Sequence, residues 1–591
     1  MKNEIPVTPE MVRSRYPPPY KVIDGCLYRE CKTKHGSYDQ KLCNFLPYLI
    51  SEVTIDDGAE VTKRLKLGGF KHNGQPLPEI EITGSELANF NWLIDQWGSD
   101  CILEVGASVK ENIRYAIQQT AGYADRQAIY AVTGWKKIDD AWHFLMPGND
   151  TLTVRLPDKL SRYEGTAVTD PTAVSVLADF MEKPPAPQPV IHLLLAYTFL
   201  TPLSSFLHAG DCEPKFVFLL LGRTGTRKST LAALFLSFFG HFTASDLPMS
   251  FRDTANSILY HAFALRDVLT CIDDFHPCGR QEEAKLTATA QAIMRAFGDR
   301  TGRARLKADA TPMASRAPQG NAIITAEYPP DIGESGTARY FPVELKPGEV
   351  DLETLSCYQA LAAKGFFRIC MHEYTDWIRD EFLQDERMEA KLSYTLRKRF
   401  EEYRDEFNQS GIPCHGRLPE IVAWFRLGML MLLHFLMDRK AITEDRGREL
   451  MDEFADMLFS LARQQAESIE QDKPSHIFVR KLFSLIESGQ VTILDKRDPL
   501  LFQPKEHIGY EDEEYFYLFS DAAHRAVRKL CEDQGEMFSV TTRALLKDLA
   551  GEGLIDTADG QNTKTVRFGS TTKRVMCLKK SAARYIAEGG V

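Results

Sequence analysis

The stretch that decides the fold is "FVFLLLGRTGTRKST", Phe216 to Thr230. Six apolar residues run without interruption, as in a strand buried on both faces of a sheet. A turn with glycines at 222 and 225 follows, and then "STLAALFLSFFG", whose periodicity predicts a helix ending at Gly240. Strand, glycine turn and helix is the context in which a loop wraps phosphates: backbone N–H groups point inward and the helix N-terminus adds its positive dipole. The usual pattern is G-x-x-x-x-G-K-[ST], and Arg227 stands where it has its second glycine. Gly222, Gly225, Thr226, Lys228, Ser229 and Thr230 are the expected nucleotide contacts. Lys228 would reach the β- and γ-phosphates, and the Ser229 hydroxyl would hold Mg²⁺.

A second apolar run, "DVLTCIDDFHP" (267 to 277), ends in Asp273 and Asp274, 45 residues beyond Lys228. An acid at a neighbouring strand end is what the metal's water shell needs, and a second acid can polarise the attacking water. We assign Asp273 to the metal and Asp274 to the water. A third run, "GNAIITAEYPP" (320 to 330), brings Thr325 and Glu327 to its polar end, where a sensor would feel the γ-phosphate; Thr325 is the choice. Arg339, in "ESGTARYFPVEL", reads either as a finger reaching a neighbouring subunit's nucleotide or as a surface ion pair.

Between the second and third runs lies a basic stretch holding Arg295, Arg300, Arg303, Arg305, Lys307 and Arg316. Its centre, "RTGRARLK", reads as a β-hairpin whose cations suit a phosphate backbone or solvent. Near the C-terminus, "VTTRALLKDLAGEGLID" predicts a helix and "KTVRFGSTTKRVMCLKK" a two-stranded wing carrying Lys564, Arg567, Lys573 and Arg574. Helix and basic hairpin together read as a winged helix, which binds DNA or protein.

The chain has 591 residues, a formal charge of −11, 44% apolar and 26% charged residues. It is too long for one core, and its net charge excludes a global pull toward nucleic acid or anionic membrane; any such contact must be local. The start has no apolar segment of a secretory signal, and the run at 190 to 207 carries His192 and Pro202, which suits a buried helix better than a membrane span. Twelve cysteines without a framework spacing point to a reduced, cytoplasmic chain. Cys26, Cys31, His35 and Cys43 have zinc-ligand chemistry but no C-x-x-C pair, so ordinary loop and core cysteines are the competing reading.

The organisation expected is an α/β N-terminal domain (1–180), a proline-rich linker (181–189), an α/β ATPase core (190–350), a helical region (351–474) and a winged-helix domain (475–591). In the first domain, residues 110–127 predict a helix with Ile113, Ala116, Ile117 and Thr120 on one face. "EIEIT" and "AIYAVTGW" read as strands. Trp92, Trp97, Trp135 and Trp142 read as core or interface anchors.

In order, "GRTGTRKST", "LTCIDDFHP", the basic hairpin and "NAIITAEYPPDIGESGTARYFPVEL" resemble the AAA+ core of superfamily 3 and MCM-like helicases. The likeness is to self-loading replication helicases and related ATPases of phages and bacterial mobile elements. The N-terminal "LCNFLPYLISEV", "ANFNWLIDQWGSD" and "IYAVTGWKKIDDAWHFL", and the C-terminal "GLIDTADGQNTKTVRFGSTTKRV", resemble the same group. The resemblance implies a homo-hexameric ring that hydrolyses ATP with Mg²⁺, pulls single-stranded DNA through its channel and opens forked duplex DNA. It places Lys228 and Ser229 at Walker A, Asp273 and Asp274 at Walker B, and Arg339 at the arginine finger. Arg303, Arg305 and Lys307 fall in a DNA-gripping hairpin. Two other functions fit the same residues: a DNA-binding initiator that uses nucleotide only as a switch, and the motor of a defence complex.

Overall fold

The computed structural model describes residues 7–148, 152–276, 280–302, 315–330, 332, 334–412, 416–471, 473–497, 507–534, 538, 540–558 and 560–588. The chain forms two compact units, one of residues 1–331, 339–402 and 423–454, the other of residues 332–338, 403–422 and 455–591.

At the centre of the first unit is a five-stranded sheet whose pairings are all parallel. Its strands are β1 (Val217–Leu221), β2 (Met249–Ser250), β3 (Leu269–Phe275), β4 (Asn321–Ala326) and β5 (Tyr340–Glu344), in the order β2-β3-β4-β1-β5. Val217, Phe218, Leu219 and Leu220 are fully buried, as a central parallel strand with both faces covered requires. Each contributes roughly 1.5–3 kcal/mol of burial free energy. Helix α1 (Lys228–Leu236) follows β1 and stops four residues short of Gly240. Helices α2 (Ala255–Ala264) and α3 (Arg280–Asp299) fill the connections on either side of β3. Because β1 lies between β4 and β5, the chain leaves it at the point where ligands sit in open parallel sheets.

The N-terminal part contributes a five-stranded mixed sheet (45–56, 61–71, 76–82, 125–130 and 153–154) and a three-stranded meander (20–23, 26–33 and 36–43). The expected helix runs Val109–Gln119, buries Ile113, Ala116 and Ile117, and ends in a single turn that buries Thr120. Strand 125–130 begins before residue 127, so the helix is shorter than its periodicity predicts. Trp92 and Trp97 meet edge to face in this core. Trp135 ties the N-terminal part to the part built on the parallel sheet: its indole N–H donates to the Pro202 carbonyl at 2.8 Å. Its backbone N–H donates to the buried Asp267 carboxylate at 3.0 Å.

The proline-rich stretch lies within this unit. It joins helix Pro171–Glu182 to helix Gln188–Leu200, with Ala186 buried and the Pro185 carbonyl accepting the Asp351 N–H at 2.9 Å. Prolines end one helix and start the next there, and the compact unit continues through them. The apolar run beyond it is a helical segment, Gln188–Ala209, with 94% of its most apolar window buried inside the protein; a second helix, Leu418–Asp438, is also long and apolar enough to cross a membrane and is 78% buried.

Residues 351–474 form the expected helices, Leu352–Ala363, Phe366–Phe382, Glu386–Gln409, Leu418–Asp438 and Glu444–Gln471. In the second unit, strands 492–495, 507–511, 515–518, 571–579 and 555–556 form one sheet, and strand 564–568 pairs antiparallel with 571–579. Helix Thr542–Gly551 precedes that hairpin, where the sequence places it.

Candidate functional site

The turn after β1 closes on itself. The Thr226 hydroxyl donates to the Arg223 carbonyl at 2.9 Å and its side chain is buried. At Gly222 a Cβ would lie 2.5 Å from the Thr226 hydroxyl oxygen and 2.7 Å from the Leu345 carbonyl oxygen, so only glycine fits. Arg227 has φ 69°, the left-handed conformation that glycine adopts freely, and its side chain is exposed. The backbone therefore follows the path of the usual loop with a different residue at the bend. Arg227 is the cap of α1, so Lys228 opens the helix and its first-turn N–H groups face the loop.

Strand β3 brings the aspartates to the same place through an irregularity that sequence does not reveal. Ile272 pairs with Ile324 and Phe275 with Ala326, so Asp273 and Asp274 both stand opposite Thr325. This is a β-bulge, with Asp274 at φ 66°. Three bonds fix the bulge. Ser229 donates its hydroxyl to Oδ1 of Asp273 at 2.8 Å, and Thr325 donates to the same oxygen at 2.6 Å. The Asp274 N–H donates to the Thr325 hydroxyl at 3.0 Å. Thr325 is fully buried, whereas Asp274 is exposed.

Glu327 joins the site beyond β4. One of its oxygens accepts the Thr224 hydroxyl and the other lies 2.9 Å from Nδ1 of His276. The Thr224 hydrogen bond, then the charges of His276 and Lys228, hold its carboxyl below the usual range against the opposing effect of burial. The donor set fits MgATP: a lysine and helix N-terminal N–H groups for phosphates, and a serine hydroxyl with an aspartate oxygen for a hard cation.

The basic residues divide. Arg303, Arg305 and Lys307 lie outside the described residues. Arg300, expected among the DNA contacts, is a structural clasp. Its guanidinium donates to the carbonyls of Pro214 (2.7 Å), Pro318 (3.1 Å) and Gly320 (2.5 Å) and to Oδ1 of Asn321 (2.8 Å). Four bonds of that kind use most of its five N–H donors. Arg316 likewise pairs with Asp57 at 2.6 Å. Arg339 makes a two-pronged pair with Asp299 at 3.1 Å, its stem lying across Gly298, where a Cβ would collide at 2.6 Å. Within one chain it is thus an ion pair, with its side chain 14% exposed.

In the C-terminal hairpin the four cations fall on two faces. Arg567 and Arg574 are on the exposed face, where Arg574 also bonds Thr563 and Gln561. Lys564 turns to Asp556, and Lys573 packs its ammonium over the rings of Phe519 (4.9 Å) and Tyr510 (5.5 Å). The signal was in the alternation: Lys564 shares its face with Val566 and Phe568.

Cys26 and Cys43 lie near one end of the meander and Cys31 and His35 toward the other. Among the described residues no group of three metal-ligand types is placed to hold an ion.

No family model matches the sequence, and no curated protein matches it. A solved structure described as SCCmec type IV Cch, an active helicase, superposes with a TM-score of 0.56 and 13% identity, covering 96% of this chain and 98% of that one. This chain shares the fold of that structure along nearly its whole length. A JCV helicase bound to a substituted phenoxyphenyl acetamide aligns over 39% of this chain and 69% of that one, at 14% identity and a TM-score of 0.20, too slight a likeness to bear on the fold.

Proposed function

We propose that this chain is an ATP-hydrolysing DNA translocase of the superfamily 3 or MCM-like kind, working as a homo-hexameric ring that unwinds DNA during replication of a mobile element. The observation that carries the reading is the convergence of the Ser229 and Thr325 hydroxyls on Oδ1 of Asp273 beside a phosphate loop. The near full-length likeness in fold to an SCCmec helicase supports the mobile-element setting. Lys228 and the first turn of α1 hold the phosphates, Ser229 and Asp273 hold Mg²⁺, and Asp274 orients the attacking water. Bound Mg²⁺ supplies charge neutralisation at the phosphates. Arg339 acts as the finger once a neighbouring subunit draws it from Asp299. Arg303, Arg305 and Lys307, with Arg567 and Arg574 of a winged helix, contact DNA.

The test is ATP hydrolysis with and without single-stranded DNA, alongside opening of a forked duplex. Absence of both activities in the wild-type protein would reject the reading. Arg227 at the glycine position favours a second reading, in which nucleotide binding alone switches assembly; Asp274→Asn, which leaves the phosphate contacts in place, with full biological activity would support it.

A further inference from the structure

No role assigned above uses Glu327, although its carboxylate is tied directly to the phosphate loop. It is 20% exposed and is held from two sides, by the Thr224 hydroxyl of the loop and by His276, two residues past Asp274. The positive charge of Lys228 also acts on it. That ammonium is the one assigned to the β- and γ-phosphates, so Glu327 stands where the far end of a triphosphate would come. A carboxylate accepts hydrogen bonds and donates none, and its charge repels phosphate oxygens at contact range. A terminal phosphate and the Glu327 carboxylate therefore compete for the Thr224 hydroxyl in the field of the Lys228 charge.

We propose that Glu327 is a latch on the nucleotide site: with no triphosphate present it fills the place of the terminal phosphate, clamping the loop through Thr224 and the end of β3 through His276. A triphosphate displaces it, and the displacement frees His276 and the segment after Asp274. A diphosphate lacks the displacing group and leaves the latch closed. The site thereby distinguishes triphosphate from diphosphate by a contact that must be broken, separately from the contacts that hold either nucleotide. This inference rests on the reading of the loop as a nucleotide site.

Binding titrations of the full chain with fluorescent forms of a non-hydrolysable ATP analogue and of ADP test it. Glu327→Gln keeps the shape and removes the charge. It is expected to tighten the triphosphate analogue about tenfold, the scale of one partly screened charge contact, and to change ADP affinity less than about twofold. His276→Gln, which loosens only one side of the latch, is expected to give a smaller shift of the same sign. Equal shifts for the two nucleotides, no shift, or weaker triphosphate binding in both variants would overturn the latch. Wild-type protein that binds neither nucleotide would instead overturn the nucleotide-site reading on which it depends.

Discussion

Thr325 donates its hydroxyl proton to Oδ1 of Asp273 across 2.6 Å, from a side chain with no exposed surface. The same hydroxyl accepts the Asp274 N–H, so one threonine sets both aspartates. Thr325→Val preserves volume and removes both bonds. We expect kcat for ATP hydrolysis to fall about 10- to 100-fold, with nucleotide affinity changed much less, because the aspartates lose orientation while the loop is intact. Equal loss of binding and turnover would show that Thr325 supports the loop itself.

Arg227 sits at a backbone angle that costs an L-residue roughly 1–2 kcal/mol and costs glycine nothing. Arg227→Gly is expected to retain nucleotide binding and to leave stability within about 1 kcal/mol, since lower strain is offset by a freer unfolded chain. Arg227→Val should lower both, because a β-branched side chain resists that conformation. Denaturant titration and nucleotide titration of the two variants check this.

Arg300 closes four acceptors from two separate stretches, one before β1 and one entering β4. Arg300→Ala leaves those carbonyls without their donor. A loss of about 2–4 kcal/mol in denaturant unfolding is expected, with Arg300→Lys recovering only part of it.

The two faces of the C-terminal hairpin should separate in experiment. Replacing Arg567 and Arg574 with alanine is expected to weaken single-stranded or forked DNA binding and to reduce its salt dependence, with no change in melting. Replacing Lys564 and Lys573 should instead lower the melting temperature, because those cations pair with Asp556 and cover Tyr510 and Phe519.

Asp512 gives the same unit an acid-sensitive point. Burial alone would raise its carboxyl, but bonds from the Tyr517 hydroxyl, the Lys496 ammonium and the N–H groups of Tyr515 and Glu514 outweigh that and hold it well below the usual range. A depressed carboxyl stabilises the fold above its unfolded value near 4 and loses that contribution as pH falls through the folded value. Wild-type melting should therefore fall below about pH 4. Asp512→Asn should melt lower near neutrality and show a flatter acid limb.

Much of the parallel-sheet core was legible because central parallel strands leave unbroken apolar runs, and because Asp273 and Asp274 close one of them. The helix after the loop was overextended to Gly240, since the apolar residues from Ser237 to Phe239 continue its composition after its geometry has ended. The bulge at Asp273 and Asp274 was beyond reach, as it depends on what β4 places opposite. So were the roles of Arg300, Arg316 and Arg339: a cation's partner is set by segments distant in sequence, such as Gly320, Asp57 and Asp299. The hairpin lysines are different, since the alternation from Lys564 to Phe568 already separated the faces.

The second compact unit is assembled from three stretches of chain, 332–338, 403–422 and 455–591. Two of its three parts lie within the sequence of the first unit, so no single cut releases it whole. A fragment beginning at Ala455 would lack two of its own pieces, and a fragment ending at Phe454 would carry those pieces with nothing to pack on. A test of whether the hairpin contacts DNA is therefore better done by point substitution in the full chain than by truncation.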